Sequence, residues 1–284
     1  MNRLRSRWSR PRLLAVLTGL YVLWSLAPVA VAVLYAFNDG RSRTTWQGFS
    51  FRWFVGEPGS VLNDPAMASA LKHTLLLALI CVAIATPLGV TLALGLQRWR
   101  GRGSGAANAL MLLPLVTPEL VMGVALLLLF LQLFDGWGLG TTAQAIGQVT
   151  FAVSFVVVVV RGRLVTIGRE YEEAAADLGA PPLARLTRVV LPLLAPAILA
   201  SAGIAFAVSI DNFVITQYLA RGADTNTVSM LLYSTARGAP TPALNAIATI
   251  ALALTLATLA LAYLVYRRFV GAGSAAQAAT LREL

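Results

Sequence analysis

The sequence predicts an all-α membrane protein with six transmembrane helices, and three observations carry that prediction. Apolar residues make up 58% of the 284 and charged residues only 12%, about half the charged share of a soluble domain. Six stretches reach the roughly 20 apolar residues that a bilayer core demands, or come close to it. Short alternating strands are absent, which excludes a β-barrel. With a mean hydropathy of +0.75, there is too little polar surface for a soluble enzyme. The chain is also too apolar to be disordered.

The elements follow in order along the chain. Residues 1–12 form a basic N-terminus with Arg3, Arg5, Arg7, Arg10 and Arg12, and Leu13–Phe37 is the first span. A cleaved signal peptide is the alternative, because arginines precede an apolar stretch containing Ala30-Val31-Ala32. The apolar run exceeds the about 7–15 residues of a signal's core, which favours a retained helix. Asn38 to Ala70 is an outer segment expected to lie along the membrane interface, with Trp46, Phe49, Phe51, Trp53 and Phe54. Within it, Asp64-Pro65 reads as an N-cap and a helix-starting proline. Leu71–Leu96 is the second span and Ala107–Phe134 the third. In the third, Pro114 and Pro118 should distort the helix and free backbone carbonyls. The fourth, Ala143–Val160, has Gln144 and Gln148 near its start, and a polar loop of residues 161–192 follows it. Leu193–Ala220 and Ala243–Tyr266 complete the set, so residues 13–270 make one transmembrane domain. Residues 271–284 form a tail of small residues, expected to fray.

Lysine and arginine placement orients the spans. With the N-terminus inside, 16 of the 22 basic residues fall on the cytoplasmic side and six outside. Both termini are therefore expected in the cytoplasm, and the net charge of +10 is a topology signal instead of a sign of nucleic-acid binding. Trp8, Trp46, Trp53, Trp99 and Trp137 sit near span ends, as interfacial belts require. The lone Cys81 excludes an internal disulfide, and the lone His73 leaves no pair for a metal site or a Ser/His/Asp triad.

The 161–192 loop carries the sharpest local pattern. Its core, Tyr171 to Ala180, is acidic at its start and alanine-rich, and Gly179 offers a positive-φ C-terminus before Pro181-Pro182. A second segment runs through Leu183, Leu186 and Val190 to Leu191-Pro192, which predicts a helix–turn–helix elbow outside the membrane. A solvated connector with a capped helix is the plainer alternative. The spacing Glu173-Ala174-Ala175, Gly179, Val189, Leu191-Pro192 closely resembles the EAA loop of ABC-importer membrane subunits, with valine where isoleucine is common. Leu113 to Glu119, Ser209 to Thr216 and Phe49 to Phe54 resemble spermidine/putrescine-type permeases, so the likeness covers nearly the whole chain. Asn212 stands where members often carry a second acid.

That resemblance implies a type I ABC importer fold in a bacterial inner membrane. It implies a polyamine substrate, with phosphonate, iron and opine as rivals. The chain would pair with a second permease subunit, as a heterodimer, above an ATPase dimer, and receive solute from an extracytoplasmic binding protein. Glu173, Ala174, Ala175, Gly179, Leu191 and Pro192 would couple it to the ATPase. No phosphate-loop signature occurs in the chain, so ATP and magnesium would belong to the partner ATPase. A secondary transporter is the rival from another class, and predicts inverted repeats and discontinuous helices. No such repeat is evident in the sequence. A mere membrane anchor leaves the elbow and the intramembrane acids unexplained.

A carboxylate within a membrane helix costs about 2.5–3.5 kcal/mol on insertion scales, so it marks a cavity or a partner. Glu119 in the third span, and Asp211 with Asn212 in the fifth, are the candidate solute path. Two carboxylates suit a cationic, amine-bearing solute. The alternative is that they satisfy helix ends or pair within the subunit.

Overall fold

The computed structural model describes residues 12–42, 45–133, 138–237 and 241–280. Residues 1–11, Trp8 among them, Phe134, Trp137 and the end of the tail lie outside the described residues. Among those described the chain is helical, with one isolated bridge between Asn38 and Phe49. The spans begin with α1 (Arg12–Ala36), α2 (Pro65–Arg98), α3 (Ser104–Val116) and α4 (Glu119–Leu133). Next come α5 (Thr141–Ile167) and the two short helices α6 (Glu170–Asp177) and α7 (Pro182–Arg185). A π turn over Leu186–Val190 leads into α8 (Leu191–Asp211), followed by α9 (Val214–Leu219), α10 (Val228–Arg237) and α11 (Pro242–Thr280).

α2, α5 and α8 pack on one another at the centre, α11 lies against α8, and α1 lies outside on α11. α9 is held between α4 and α5. Lipid is as apolar as leucine, so close packing has to hold such a bundle together instead of water exclusion. Glycines let the helices approach. A Cβ on Gly89 would stand 2.6 Å from the Val156 side chain, and one on Gly147 2.7 Å from Ile215 and 2.8 Å from Leu219. Around the α2–α5 crossing, Cys81, Ala85, Val156 and Val160 are fully buried.

Several expectations change. The third span is not one distorted helix: α3 and α4 meet at 109°. Two prolines four residues apart remove successive ladder bonds, and Thr117, preceding Pro118, adopts an extended conformation. The fifth span likewise ends at Asp211, and Val214–Leu219 forms a separate short helix. The fourth, with its two glutamines, is the central helix α5 and extends to Ile167, so the connecting loop is shorter than residues 161–192. Its second arm joins α8 without a break at Leu191-Pro192. Pro192 has no N–H and its ring crowds a carbonyl four residues back. The chain widens by one residue instead, and the Leu191 N–H reaches the Leu186 carbonyl. Helix α11 runs to Thr280, past the Gly271 boundary where fraying was expected.

The outer segment has a fold of its own. Asp64 caps α2, accepting from the Ala66 and Met67 N–H groups at 2.8 and 3.1 Å. Trp53 is buried, not a belt residue, and its indole Nε1–H donates to the Asn38 carbonyl at 2.7 Å. Phe37, Phe49, Phe51 and Phe54 cluster with ring centroids 5.0–6.0 Å apart. Arg52 donates to Glu57 at 2.5 Å and lies 3.5 Å from Asp39. The Glu57 hydrogen bond, ahead of its charge and that of Asp39, holds the Arg52 guanidinium above its ordinary pKa.

Candidate functional site

The two helix breaks meet. Glu119 is the first residue of α4 and Asn212 caps the end of α8, and the Asn212 Nδ2 donates to Glu119 Oε1 at 2.7 Å. Asp211, the last residue of α8, is exposed. Glu119, Asp211 and Asn212 line one open cleft of ≈ 310 Å³ with Phe151, Ala207 and Val208. All three path residues singled out from the sequence therefore share a cavity at the junction of two broken spans, the kind of place where membrane proteins tolerate irregular backbone.

Electrostatics separate the two acids. At the start of α4, Glu119 faces the positive end of a helix dipole, so part of its charge is balanced locally. Asp211 sits at the negative end of α8, where a carboxylate is disfavoured. An anion placed against the dipole beside a second carboxylate favours a cation in the cleft.

A buried polar chain behind the cleft holds Asn212 in register. The Asn212 Oδ1 accepts from the Thr216 N–H at 3.3 Å, which leaves its Nδ2 aimed at Glu119. Thr216 Oγ1 returns to the Asn212 carbonyl at 2.7 Å. Gln144, fully buried on α5, donates from Nε2 to the Thr216 and Thr225 carbonyls at 2.9 and 3.0 Å. Its Oε1 lies 2.8 Å from His73 Nε2 on α2. Since the two carbonyls fix the amide orientation, Oε1 accepts and His73 carries its proton on Nε2. Four elements are thus tied to the carboxylate through a chain that sequence reasoning missed. The signal available was Gln144 itself, a polar side chain in an otherwise apolar span. One turn further along α5, the Gln148 Oε1 accepts from Ser209 Oγ of α8.

Tyr218 packs against Gly123, where an added Cβ would meet its ring at 2.9 Å, so it belongs to the α4–α9 contact. Tyr233 packs against Phe213 at a tilt of 42° with ring centroids 4.7 Å apart, and the Arg237 guanidinium lies over its ring at 4.4 Å.

At the opposite end of the bundle, α6 and α7 form the elbow. Glu170, Glu172 and Glu173 occupy the first turn of α6, favourable to its dipole. Gly179 has φ +79°, and its N–H bonds the Ala176 carbonyl while that of Ala180 reaches Ala175. The helix thus closes in a left-handed turn that only glycine adopts without strain. None of α6 is buried, and Leu178 is 90% exposed. Glu173 and Ala176 line an outward cleft with Arg98, Arg169 and Arg185, whereas Leu191 and Pro192 belong to the start of α8. An added Cβ at Gly179 meets nothing within 4 Å, so a Gly179→Val effect comes from backbone strain of about 1–3 kcal/mol and not from a clash. With the elbow in the ATPase-coupling role that its resemblance to the EAA loop implies, the variant is expected to insert at normal abundance yet lose coupling between ATP hydrolysis and transport. Normal substrate-stimulated ATP hydrolysis in it would count against a role for the turn.

Comparison with known proteins follows the same lines. The family described as "binding-protein-dependent transport system inner membrane component" matches residues 85–271. The putrescine transport system permease protein PotI of Escherichia coli K12 is 37% identical over 253 residues, covering 87% of this chain and 86% of that protein. The spermidine/putrescine transport system permease protein PotC of the same strain is 31% identical over 251 residues, covering 88% and 92%. Among solved structures, a bacterial ABC transporter involved in the import of the acidic polysaccharide alginate superposes with TM-score 0.70 at 17% identity, covering 90% of this chain and 95% of that one. The alginate transporter in complex with an alginate pentasaccharide-bound periplasmic protein gives 0.70 at 18%, covering 94% and 98%. At such identities the likeness is one of fold.

Proposed function

The chain belongs to the family of binding-protein-dependent transport system inner membrane components, and on that premise we propose that it imports polyamines, putrescine or spermidine, as one permease subunit of an ATP-driven transporter. The observation that carries the substrate class is the cleft where Glu119 and Asp211 meet, with Asp211 uncompensated by its own helix. Two relatives named for putrescine and spermidine transport support the same class. Alginate is acidic, so a likeness of fold to its transporter does not bear on charge preference.

A second permease subunit, an ATPase dimer holding ATP and magnesium, and an extracytoplasmic binding protein complete the assembly in this reading. Glu173, Ala174, Ala175 and Gly179 form the docking elbow, and Leu191 and Pro192 continue its second arm into α8. ATPase closure moves the elbow and α8 as a body and shifts the cleft between its two accessibilities. Broken helices are expected of secondary transporters too, so they do not separate the two classes; family membership does.

Co-purification with an ATPase, together with ATP-dependent putrescine uptake, tests this reading. A self-sufficient, proton-coupled carrier activity would overturn it. Orientation is tested separately. Cysteine at the open Gly59 is expected to react with an impermeant thiol reagent applied outside, and cysteine at Leu178 to be shielded, while buried Cys81 stays silent. Outside labelling at residue 178 would reverse the topology and remove the docking role.

A further inference from the structure

We infer that Arg98 and Glu172 form a latch that sets the angle of the elbow helix on the membrane bundle, which makes Arg98 a positioning residue for energy coupling. This inference rests on the reading of the elbow as the ATPase-docking element.

Helix α6 is attached to the bundle in an unusual way. It buries no residue, and glycines of positive φ flank it, Gly168 at +73° and Gly179 at +79°. Beneath it lies a cavity of ≈ 180 Å³, lined by Tyr171 from α6, by Leu94 and Gln97 from α2, and by Leu164, Val190 and Leu193. The contacts of α6 are mainly with α7 and the π turn, and none of them buries a residue, so packing alone fixes its tilt only weakly. Across that gap the Arg98 Nη2, at the end of α2, donates to both Glu172 oxygens at 2.7 and 2.8 Å. The other ion pairs among the described residues, Arg52 with Asp39 and with Glu57, close within the outer segment. The Arg98–Glu172 pair instead joins residues 74 apart in sequence.

An exposed pair of this kind adds little to stability, so its loss leaves folding and abundance intact. Direction is what it supplies. α2 packs along α5 and α8, so the latch ties the lever to the helices that carry the cleft. With the latch open, α6 rocks over the cavity and part of the motion delivered by the ATPase is lost. One nitrogen makes both hydrogen bonds, so a lysine ammonium is able to replace the guanidinium here.

The test uses the full complex in proteoliposomes with its binding protein, and reads putrescine imported per ATP hydrolysed. Arg98→Ala and Glu172→Gln are each expected to lower that ratio about fivefold with the ATPase still bound. The double variant is expected to be no worse than either single one, and Arg98→Lys to recover most of the ratio. Wild-type ratios in the single variants would overturn the latch, as would losses that multiply in the double variant. A wild-type complex that holds no ATPase is a different result, since it removes the elbow reading and the latch with it.

Discussion

Glu119→Gln is expected to slow putrescine uptake about tenfold or more at matched membrane abundance, and Asp211→Asn to slow it at least as much. Charge-assisted hydrogen bonds are worth about 1.5–3 kcal/mol, and each variant removes a charge while keeping shape. In Glu119→Gln the new amide oxygen would still accept from Asn212, so the junction of α4 and α8 survives. Asp211 has no favourable dipole and is exposed to the cleft, so its charge is the more available of the two. Both acids line one cleft and would meet the same cation, so the double variant should lose less than the product of the singles. The sign of the effect reports the solute. A neutral or anionic substrate would tolerate these changes or gain from them, and wild-type polyamine rates in both variants would leave the acids as packing groups.

Gln144→Leu is expected to destabilise the subunit by about 2–4 kcal/mol, from three buried hydrogen bonds at about 0.6–1.5 kcal/mol each. The substitution is close in volume but strands the Thr216 and Thr225 carbonyls and the His73 Nε2–H. His73→Leu breaks only the last of these and should cost less. Thermal inactivation of the solubilised complex reads both, with the larger drop in midpoint for Gln144→Leu. Because Thr216 orients Asn212, residual transport by Gln144→Leu should also show a raised KM for polyamine. Wild-type stability in Gln144→Leu would mean that this chain of hydrogen bonds contributes nothing to the fold.

Membrane character, five of the long apolar helices and the glycine turn of the elbow were legible in the sequence because each depends on local chemistry. Apolar length reports spanning, Asp64-Pro65 reports a helix start, and Gly179 before two prolines reports a left-handed end. The 109° break at Thr117-Pro118 was only half legible. Two prolines foretold distortion but not its size, and α4 packs on α9, an element distant in sequence. Glu119, Asp211 and Asn212 were visible as polar residues in apolar runs. Their meeting depends on two breaks coming to one level, which no single segment encodes. The Gln144–His73 link joins residues 71 apart, and Arg98–Glu172 joins residues 74 apart. Pairings of this kind follow from helix packing, not from local pattern. Trp53 shows the converse. Its place near a span end suggested a lipid anchor, yet the Asn38 carbonyl accepts its indole N–H and holds it inside.

Solute transport by the assembled complex tests the central claim most directly. The permease pair, its ATPase and its binding protein, reconstituted in proteoliposomes, should accumulate labelled putrescine or spermidine only with ATP and magnesium present. Excess unlabelled polyamine should suppress that uptake, and a neutral solute of similar size should not. Uptake of an anionic or neutral solute by a complex that hydrolyses ATP normally, with polyamines ignored, would contradict the account.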